Sequence, residues 1–315
     1  MDKKQNVFIL FLICLSLFSF GQETSLKVGQ RYEPIYSQYW VNGLAINPAY
    51  AGSRECFSNI ILYRNQWMGF EGAPITQTLS SHAPFKDEKN AVGLFLFHEK
   101  IGVTSYYDVF GNYAFRFQIG NGRLSLGIRA GATFFQGDYS EINANPNGLT
   151  NDMVLQDESS VFPNAGVGIY YYSDTYFAGL SVPKLLSYEV NNGTKNMSVN
   201  PEGYDFLFTG GFLYSFNEKF RVRPSLLYRY RLIETSQLEG GFNVIMNDAI
   251  WAGVSYRFSD EYSFMLEYQV NEQIRAGAAY DFASGDLAGQ HDGSLEFILR
   301  YEFRYKVRAV SPRYF

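Results

Sequence analysis

The sequence predicts an all-β protein, a transmembrane antiparallel β-barrel of about 14 strands of the outer-membrane type. Three observations predict it: apolar and polar residues alternate in many short segments, the aromatic content is high, and the chain begins with an export signal. Of the 315 residues 18% are aromatic, with 28 Phe and 25 Tyr, and 18% are charged. Aromatic side chains suit pleated surfaces and are scarce in disordered chains. The composition therefore indicates extensive β-structure and excludes a disordered chain.

The alternation is clearest in residues 123–134. Neighbouring side chains of a strand point to opposite faces, so a strand here has one apolar face and one polar face. The apolar face carries Leu124, Leu126, Ile128, Ala130, Ala132 and Phe134, and the polar face carries Arg123, Ser125, Gly127, Arg129, Gly131 and Thr133. The pattern recurs in about 14 segments, near residues 57–67, 75–84, 91–99, 105–119, 122–137, 164–172, 175–183, 205–216, 219–231, 235–246, 249–258, 261–270, 272–282 and 294–305.

The connections between these segments alternate in length. Every second connection along the chain is tight, as at residues 120–121 and 247–248. The connections between these include the long polar stretches 138–163, 184–204 and 283–293. Outer-membrane barrels have this layout, with short turns in the periplasm and long loops outside. A secreted β-sandwich also alternates, but its solvent face would not need so many Tyr and Phe.

The N-terminus has the features of a secretory signal peptide. A short basic stretch, residues 1–6, precedes the apolar stretch 7–20, and the small residue Gly21 follows where a signal peptidase would cut. We therefore expect cleavage near Gly21 and a mature chain that is integral to the outer membrane of a Gram-negative bacterium.

Four parts of the chain follow from these patterns. They are the signal peptide 1–21, an N-terminal segment 22–55, the barrel 56–305 and a C-terminal tail 306–315. The segment 22–55 has neither helix nor strand period, because residues 38–52 combine aromatics with Asn-Pro and Ala-Gly. It is either an unstructured lead-in or an ordered periplasmic or lumen-filling element, and its aromatic content favours the ordered element.

Charged side chains on the polar faces are candidates for function inside the barrel. They could select solutes along a water path, or they could pair in an Arg–Glu network that braces the wall, and we favour the network. The candidates are Arg123, Arg129, Arg223, Arg229, Arg257, Glu267, Arg275, Glu296, Arg300 and Glu302.

The sequence predicts no enzyme, no cofactor and no nucleic-acid partner. The three histidines, His82, His98 and His291, lie far apart and lack metal-ligand spacing. There is no nucleophile elbow, P-loop or dinucleotide fingerprint. The net charge of -5 provides no large basic field for nucleic acid. After residue 20 no apolar run reaches the roughly 20 residues of a membrane helix, which excludes a helical bundle.

An ordered set of short motifs resembles the PorP/SprF family of outer-membrane proteins of type IX secretion in the Bacteroidetes. The N-terminal signature is Gln38, Asn42 and the string Asn47 to Gly52. Similar stretches are 63–67, 72–76, 93–102, 163–168, 179–183, 224–225, 251–257 and 311–315, so the resemblance spans essentially the whole mature chain.

The resemblance implies a barrel without enzymatic activity that serves protein export. Its implied partners are the type IX machinery, including periplasmic ring or peptidoglycan-binding proteins, or a large secreted adhesin with a C-terminal secretion domain, in some bacteria for gliding motility. Outer-membrane lipid would surround it. The alternative function is a passive or hydrophobic-solute channel. Whether the protein belongs to the core machine or escorts one adhesin stays open.

We expect partner contacts in the N-terminal signature, in the longest loop and in the C-terminal tail. By resemblance, the terminal Phe315 fits the aromatic end of a barrel assembly signal; alternatively the tail is a periplasmic or plug-like extension that meets a partner. Pro312 cannot donate to a central ladder, which favours the extension. The expected contact residues are Gln38, Asn42, Asn47, Pro48, Tyr50, Gly52, Asp138, Tyr139, Asp152, Asp157, Ser311, Pro312, Arg313, Tyr314 and Phe315.

Overall fold

The computed structural model describes residues 36–141, 157–191, 194–233, 235–258, 261–284 and 292–303, most of which lie in strands. The strands are β1 Phe57–Asn65, β2 Ile75–Pro84, β3 Asn90–Ile101, β4 Thr104–Ile119, β5 Gly122–Gly137, β6 Glu158–Tyr172, β7 Tyr176–Val182, β8 Ser187–Asn191, β9 Thr194–Ser198, β10 Phe206–Phe212, β11 Tyr214–Ser215, β12 Phe220–Tyr230, β13 Gln237–Met246, β14 Ile250–Arg257, β15 Glu261–Gln269, β16 Ile274–Ala283 and β17 Ser294–Phe303.

Fourteen of these strands form a closed antiparallel barrel. The first strand, β1, pairs with the last, β17, and β10 joins β7 to β12, so every barrel strand has two neighbours. The short β11 extends the contact with β12, and β8 pairs with β9 in a separate hairpin. The predicted all-β barrel of about 14 strands is confirmed.

Two features of the strands differ from the sequence prediction. Strand β6 begins at Glu158 instead of residue 164, and the predicted loop 184–204 contains the hairpin β8–β9. The barrel was predicted to span residues 56–305, and its described strands run from Phe57 to Phe303. The predicted signal peptide and C-terminal tail lie outside the described residues.

The two faces of the wall differ as the alternation predicts. In β15 the outward residues Tyr262, Phe264 and Leu266 are exposed, whereas the inward Ser263 and Glu267 are buried. Outward aromatic rings also contact one another across strands, as between Tyr262 and Phe282, whose centroids are 5.6 Å apart. An apolar outer band with aromatic residues near its edges suits contact with lipid.

The two ends of the barrel differ in the length of their connections. At one end, here called the turn end, short turns such as 120–121 and 247–249 join the strands, and β1 begins there. Positive φ angles at Gly120, Asn247 and Asp248 allow these tight turns. The other end, here called the loop end, carries the connections 138–157, 183–205 and 284–293.

Helical structure is confined to short pieces in the part of the chain that the structure describes. There is one helical turn, α1 (Gly43–Ile46), and there are 3₁₀ turns at Pro48–Tyr50, Tyr139–Glu141 and Pro201–Gly203. No helix among these residues is long and apolar enough to cross a membrane.

Candidate functional site

Residues 36–56, here called the lumen segment, lie inside the barrel. All of them are buried except Glu55, which is half-buried. The segment forms α1 and then the 3₁₀ turn Pro48–Tyr50, each a single turn. Helical pieces this short are not stable by themselves in water. Contacts with the barrel wall must therefore fix the conformation of the segment.

The Asn47-Pro48 pair sets the bend in the middle of the lumen segment. The Asn47 carboxamide oxygen accepts a hydrogen bond from the Ala49 N–H at 2.9 Å, and Pro48 occupies the first position of the turn. A proline fits there because its missing N–H would have had no partner. Asn47 Nδ2 also donates to the Ile169 carbonyl of β6 at 3.0 Å. Asn47 therefore both caps the turn and fastens it to the wall.

Inward-facing side chains hold the lumen segment through its backbone carbonyl oxygens. Arg129 donates to the carbonyls of Leu44 at 2.5 Å and Ala45 at 3.2 Å, near the end of α1. Helix ends leave carbonyls unpaired, so this guanidinium satisfies groups that the lumen segment cannot. Four further contacts of this kind are Ser125 to Ala49 at 2.6 Å, Ser181 to Ile46 at 2.6 Å, Arg300 to Val41 at 2.8 Å and Arg116 to Gly52 at 2.5 Å.

Two wall glycines let the lumen segment approach the sheet closely. A Cβ atom at Gly127 would lie 2.1 Å from the Ala49 nitrogen, and one at Gly168 would lie 2.1 Å from Asn47 Oδ1. Both distances are far below van der Waals contact. The backbone of the lumen segment therefore occupies the space that side chains would fill on these strands.

Carboxylates bind the start of the lumen segment in the half of the barrel near the loop end. The backbone N–H groups of Ser37 and Gln38 donate to the Glu296 carboxylate at 3.1 and 3.2 Å, and the Ser37 hydroxyl donates to Asp281 at 2.5 Å. Arg64 neutralises the same carboxylates, at 2.5 Å from Asp281 and 3.3 Å from Glu296. All five residues are buried, so this network of charged and polar groups is shielded from solvent.

The end of the lumen segment is fastened near the turn end. Arg54 donates to both oxygens of Glu302, at 2.7 and 3.2 Å, a bidentate geometry that fixes orientation as well as distance. Glu55 pairs with Arg123 at 3.1 Å. The lumen segment therefore spans the barrel from near the loop end, at Ser37, to the turn end, where β1 begins.

Arginines of the wall also stack on tryptophans. The Arg275 guanidinium carbon lies 3.5 Å from the ring centroid of Trp251, and that of Arg223 lies 5.6 Å from Trp40 in the lumen segment. A desolvated cation over an indole face is attracted by the ring quadrupole. The arginines on β12 and β16 therefore have partners besides carboxylates.

The structure places the predicted lumen charges on the inward face of the wall. Arg257 pairs with Glu239 at 3.0 Å, and Arg275 lies 3.7 Å from Glu267. The buried members of the predicted set are Arg129, Arg223, Arg229, Arg257, Glu267, Arg275, Glu296 and Arg300, and the half-buried members are Arg123 and Glu302.

The predicted partner-contact residues fall into three groups. Those of the N-terminal signature, Gln38, Asn42, Asn47, Pro48, Tyr50 and Gly52, are buried in the barrel, where they contact the wall. Those of the longest loop that are described, Asp138, Tyr139 and Asp157, lie at the loop end. The others, Asp152, Ser311, Pro312, Arg313, Tyr314 and Phe315, lie outside the described residues.

Asp157 organises the described part of the longest loop. Its carboxylate accepts hydrogen bonds from the N–H of Ser140 at 3.0 Å and from the Ser140 hydroxyl at 3.1 Å. These bonds favour the charged form, so they lower the pKa of Asp157. The two sides of the loop are thus joined just above strands β5 and β6.

The connection after β7 folds back over the inner face of the wall. Lys184 pairs with the inward Asp108 at 3.1 Å, and the Asn164 side chain accepts hydrogen bonds from the N–H groups of Leu185 and Leu186 at 3.0 Å each. The ring of Tyr188 packs on Phe162, with centroids 5.0 Å apart. This connection therefore covers part of the barrel mouth at the loop end.

Sequence reasoning missed several residues that bind the lumen segment. They are Arg64, Arg116, Ser125, Gly127, Gly168, Ser181 and Asp281. The alternation predicts that these residues face inward. The sequence did not indicate that backbone carbonyls of an inserted segment would be their partners. In the described part of the chain no group of His, Cys, Asp and Glu is placed to hold a metal ion.

A family model described as type IX secretion system membrane protein PorP/SprF matches residues 28–301. No curated protein matches the chain. Among solved structures, the outer membrane protein Omp33 of Acinetobacter baumannii is similar at 8% identity, with 80% of this chain and 100% of that chain covered and a TM-score of 0.45. The monoaromatic hydrocarbon channel CymD is similar at 11% identity, with 88% and 95% covered and a TM-score of 0.48. The P. putida toluene transporter TodX is similar at 11% identity, with 84% and 95% covered and a TM-score of 0.44.

Proposed function

Because the chain belongs to the PorP/SprF family of type IX secretion system membrane proteins, as its motifs predicted, we propose that this outer-membrane barrel binds protein partners and carries no solute. One observation carries the proposal: the lumen segment is held by the wall from Ser37 to Arg54. A barrel of this size would otherwise enclose a channel. Partner binding, with no enzymatic step, is then the function that its outer surfaces can perform.

The closed lumen is supported by the number and burial of the contacts. Wall side chains satisfy carbonyl oxygens along the lumen segment. Its start donates hydrogen bonds from Ser37 to buried carboxylates, and its end is held by the Arg54–Glu302 ion pair. Breaking a buried pair leaves an unpaired charge, which is costly. These contacts support a lumen segment that stays inside the barrel and closes its lumen.

The loop end is the surface that we assign to a secreted partner. In an outer-membrane barrel the long loops face outside and the short turns face the periplasm. The hairpin β8–β9 and the loop joined by Asp157 and Ser140 belong to the connections of the loop end. We propose that these loops hold a large secreted surface protein with a type IX C-terminal domain, and that the turn end faces the periplasmic machinery.

The experiment is affinity purification from native outer membranes. A tag is inserted between Ser284 and Asp292 at the loop end, and proteins that copurify are identified by mass spectrometry. We expect a large surface protein with a type IX C-terminal domain, or periplasmic components of the machinery. A barrel that is purified without any other protein of the system would overturn the proposal.

A matched variant locates the binding surface. Deletion of residues 142–156 leaves β5, β6 and the Asp157–Ser140 contact in place, so the barrel is expected to fold and to remain heat-modifiable on gels. The secreted partner should be lost from the purification while periplasmic proteins remain. Retention of the secreted partner would exclude this loop as its binding site.

A further inference from the structure

The outer surface of the barrel is apolar on most of its circumference. From β12 to β17 the outward residues are Val, Leu, Ile, Phe, Tyr, Met, Ala, Gly or Pro throughout. Lipid tails offer no hydrogen bonds, so such a surface is the one that a bilayer requires.

Strands β1 to β3 interrupt this apolar surface. Besides Asn65, Asn90 and Lys100 near the strand ends, four polar side chains face outward there and are here called the polar patch: Asn59, Gln77, Ser81 and His98. They lie in two rows of the sheet, since Asn59 is opposite Ser81 and Gln77 is opposite His98. Gln77 is exposed, and the other three are half-buried.

The polar patch lies within the depth of the bilayer. Gln77 and Ser81 are interior positions of the ten-residue strand β2, with the apolar Leu79 between them. Four residues of a strand span about 13 Å. A strand of this length covers roughly the hydrocarbon thickness, so both rows are inside the band that lipid would contact.

Some of the polar groups in the polar patch have partners on neighbouring side chains. The Ser81 hydroxyl donates to Asn59 Oδ1 at 2.7 Å, and the His98 ring stacks on Tyr107 with centroids 4.4 Å apart. The Gln77 carboxamide makes no hydrogen bond to any described residue. Polar groups facing hydrocarbon without partners are costly, so lipid is a poor neighbour for this wall.

We propose that the polar patch is the contact surface between two copies of this chain in the outer membrane. Both copies insert in the same direction, so their two-fold axis is parallel to the membrane normal and residues at equal depth meet. Such an interface must be complementary to itself. Asn59 and Gln77 each carry donors and an acceptor, so each can pair with its own copy. The proposal depends on the position of the barrel in a bilayer and is independent of the proposed partner binding.

Disulfide trapping tests the interface without removing the polar patch. Leu79→Cys places a thiol on β2 between Gln77 and Ser81, where the axis would pass. Leu266→Cys, on the outward face of β15 and 58% exposed, is the matched control on a wall without polar residues. The native Cys56 is buried and should not react. Oxidation with copper phenanthroline is carried out on whole outer membranes.

We expect a covalent dimer of twice the chain mass with Leu79→Cys and none with Leu266→Cys. Adding Gln77→Leu and Asn59→Leu to Leu79→Cys should abolish the dimer, while heat modifiability shows that the barrel still folds. Equal dimer at both positions, no dimer at either, or a product that contains a different protein would each overturn the proposal.

Discussion

Gly127 of β5 lies directly opposite Gly168 of β6, and the lumen segment rests on this pair. The Ala49 nitrogen occupies the place of one missing side chain, and the Asn47 carboxamide oxygen occupies that of the other. Both glycines face inward on strands whose outward residues are apolar from Leu124 to Phe134 and from Val161 to Tyr171. The sheet is therefore shaped for the inserted segment as well as for lipid.

Substitution of Gly127 by valine should open the barrel. The new side chain overlaps the backbone of the lumen segment, and overpacking of this kind costs about 1–3 kcal/mol. Strand formation itself is not opposed, because valine favours β-structure. We expect the variant to fold, to lose thermal stability and to conduct ions in planar bilayers, where the wild type conducts none.

Gly111→Val is the control for this experiment. Gly111 faces outward, and a Cβ there would have as its nearest neighbour a backbone oxygen at 3.8 Å. This variant should remain closed and as stable as the wild type. Open channels in wild-type protein would instead contradict the closed lumen.

Arg129→Ala should weaken the attachment of the lumen segment. The change leaves the carbonyls of Leu44 and Ala45 without their donor, and hydrogen bonds to charged groups are worth roughly 1.5–3 kcal/mol each. Arg123→Ala at the turn end is the comparison, because half-exposed ion pairs contribute about 1 kcal/mol or less. In detergent, the melting temperature should fall further in Arg129→Ala than in Arg123→Ala. An equal fall in both variants would contradict the role of Arg129.

Arg64→Leu should be among the most destabilising changes in the barrel. Arg64 faces Asp281 and Glu296, and its removal leaves two buried carboxylates without a cation, at a cost of about 3–5 kcal/mol. Adding Asp281→Asn should restore part of the loss, because one of the uncompensated charges is then removed. Denaturant unfolding of the single and double variants measures the coupling, and additive losses would exclude a shared network.

Strand positions were predictable because each face of a barrel strand meets a different environment. The period of two in β15 and β17 reproduces their observed faces residue by residue. The alternating segment predicted at 164–172 begins too late, because β6 starts at Glu158 and includes Pro163. The β6–β7 ladder covers Val167 to Tyr172, so a proline at 163 costs no bond to β7.

Tertiary features inside and above the barrel were less predictable. The hairpin β8–β9 flanks Asn192-Gly193, a dipeptide that favours tight hairpin turns, but residues 184–204 were predicted as one long polar loop. The partners of Arg129 and Ser125 could not be predicted, because backbone carbonyls carry no sequence signal. The alternation shows that a side chain faces inward but does not show what fills the interior.

The contact between Asp157 and Ser140 should make the loop above β5 and β6 sensitive to acid. The folded state lowers the pKa of Asp157. The charged carboxylate therefore stabilises the folded loop fully above the unfolded pKa of about 3.9, and this stabilisation is lost as the pH falls through the lower folded pKa. Titration of the Ser140 amide resonance in micelles should give a midpoint below 3.9. In Ser140→Ala the hydroxyl donor is gone and the backbone donor remains, so the midpoint should move part of the way back. A wild-type midpoint equal to that of a free aspartate would mean that the two sides of the loop are not joined in solution.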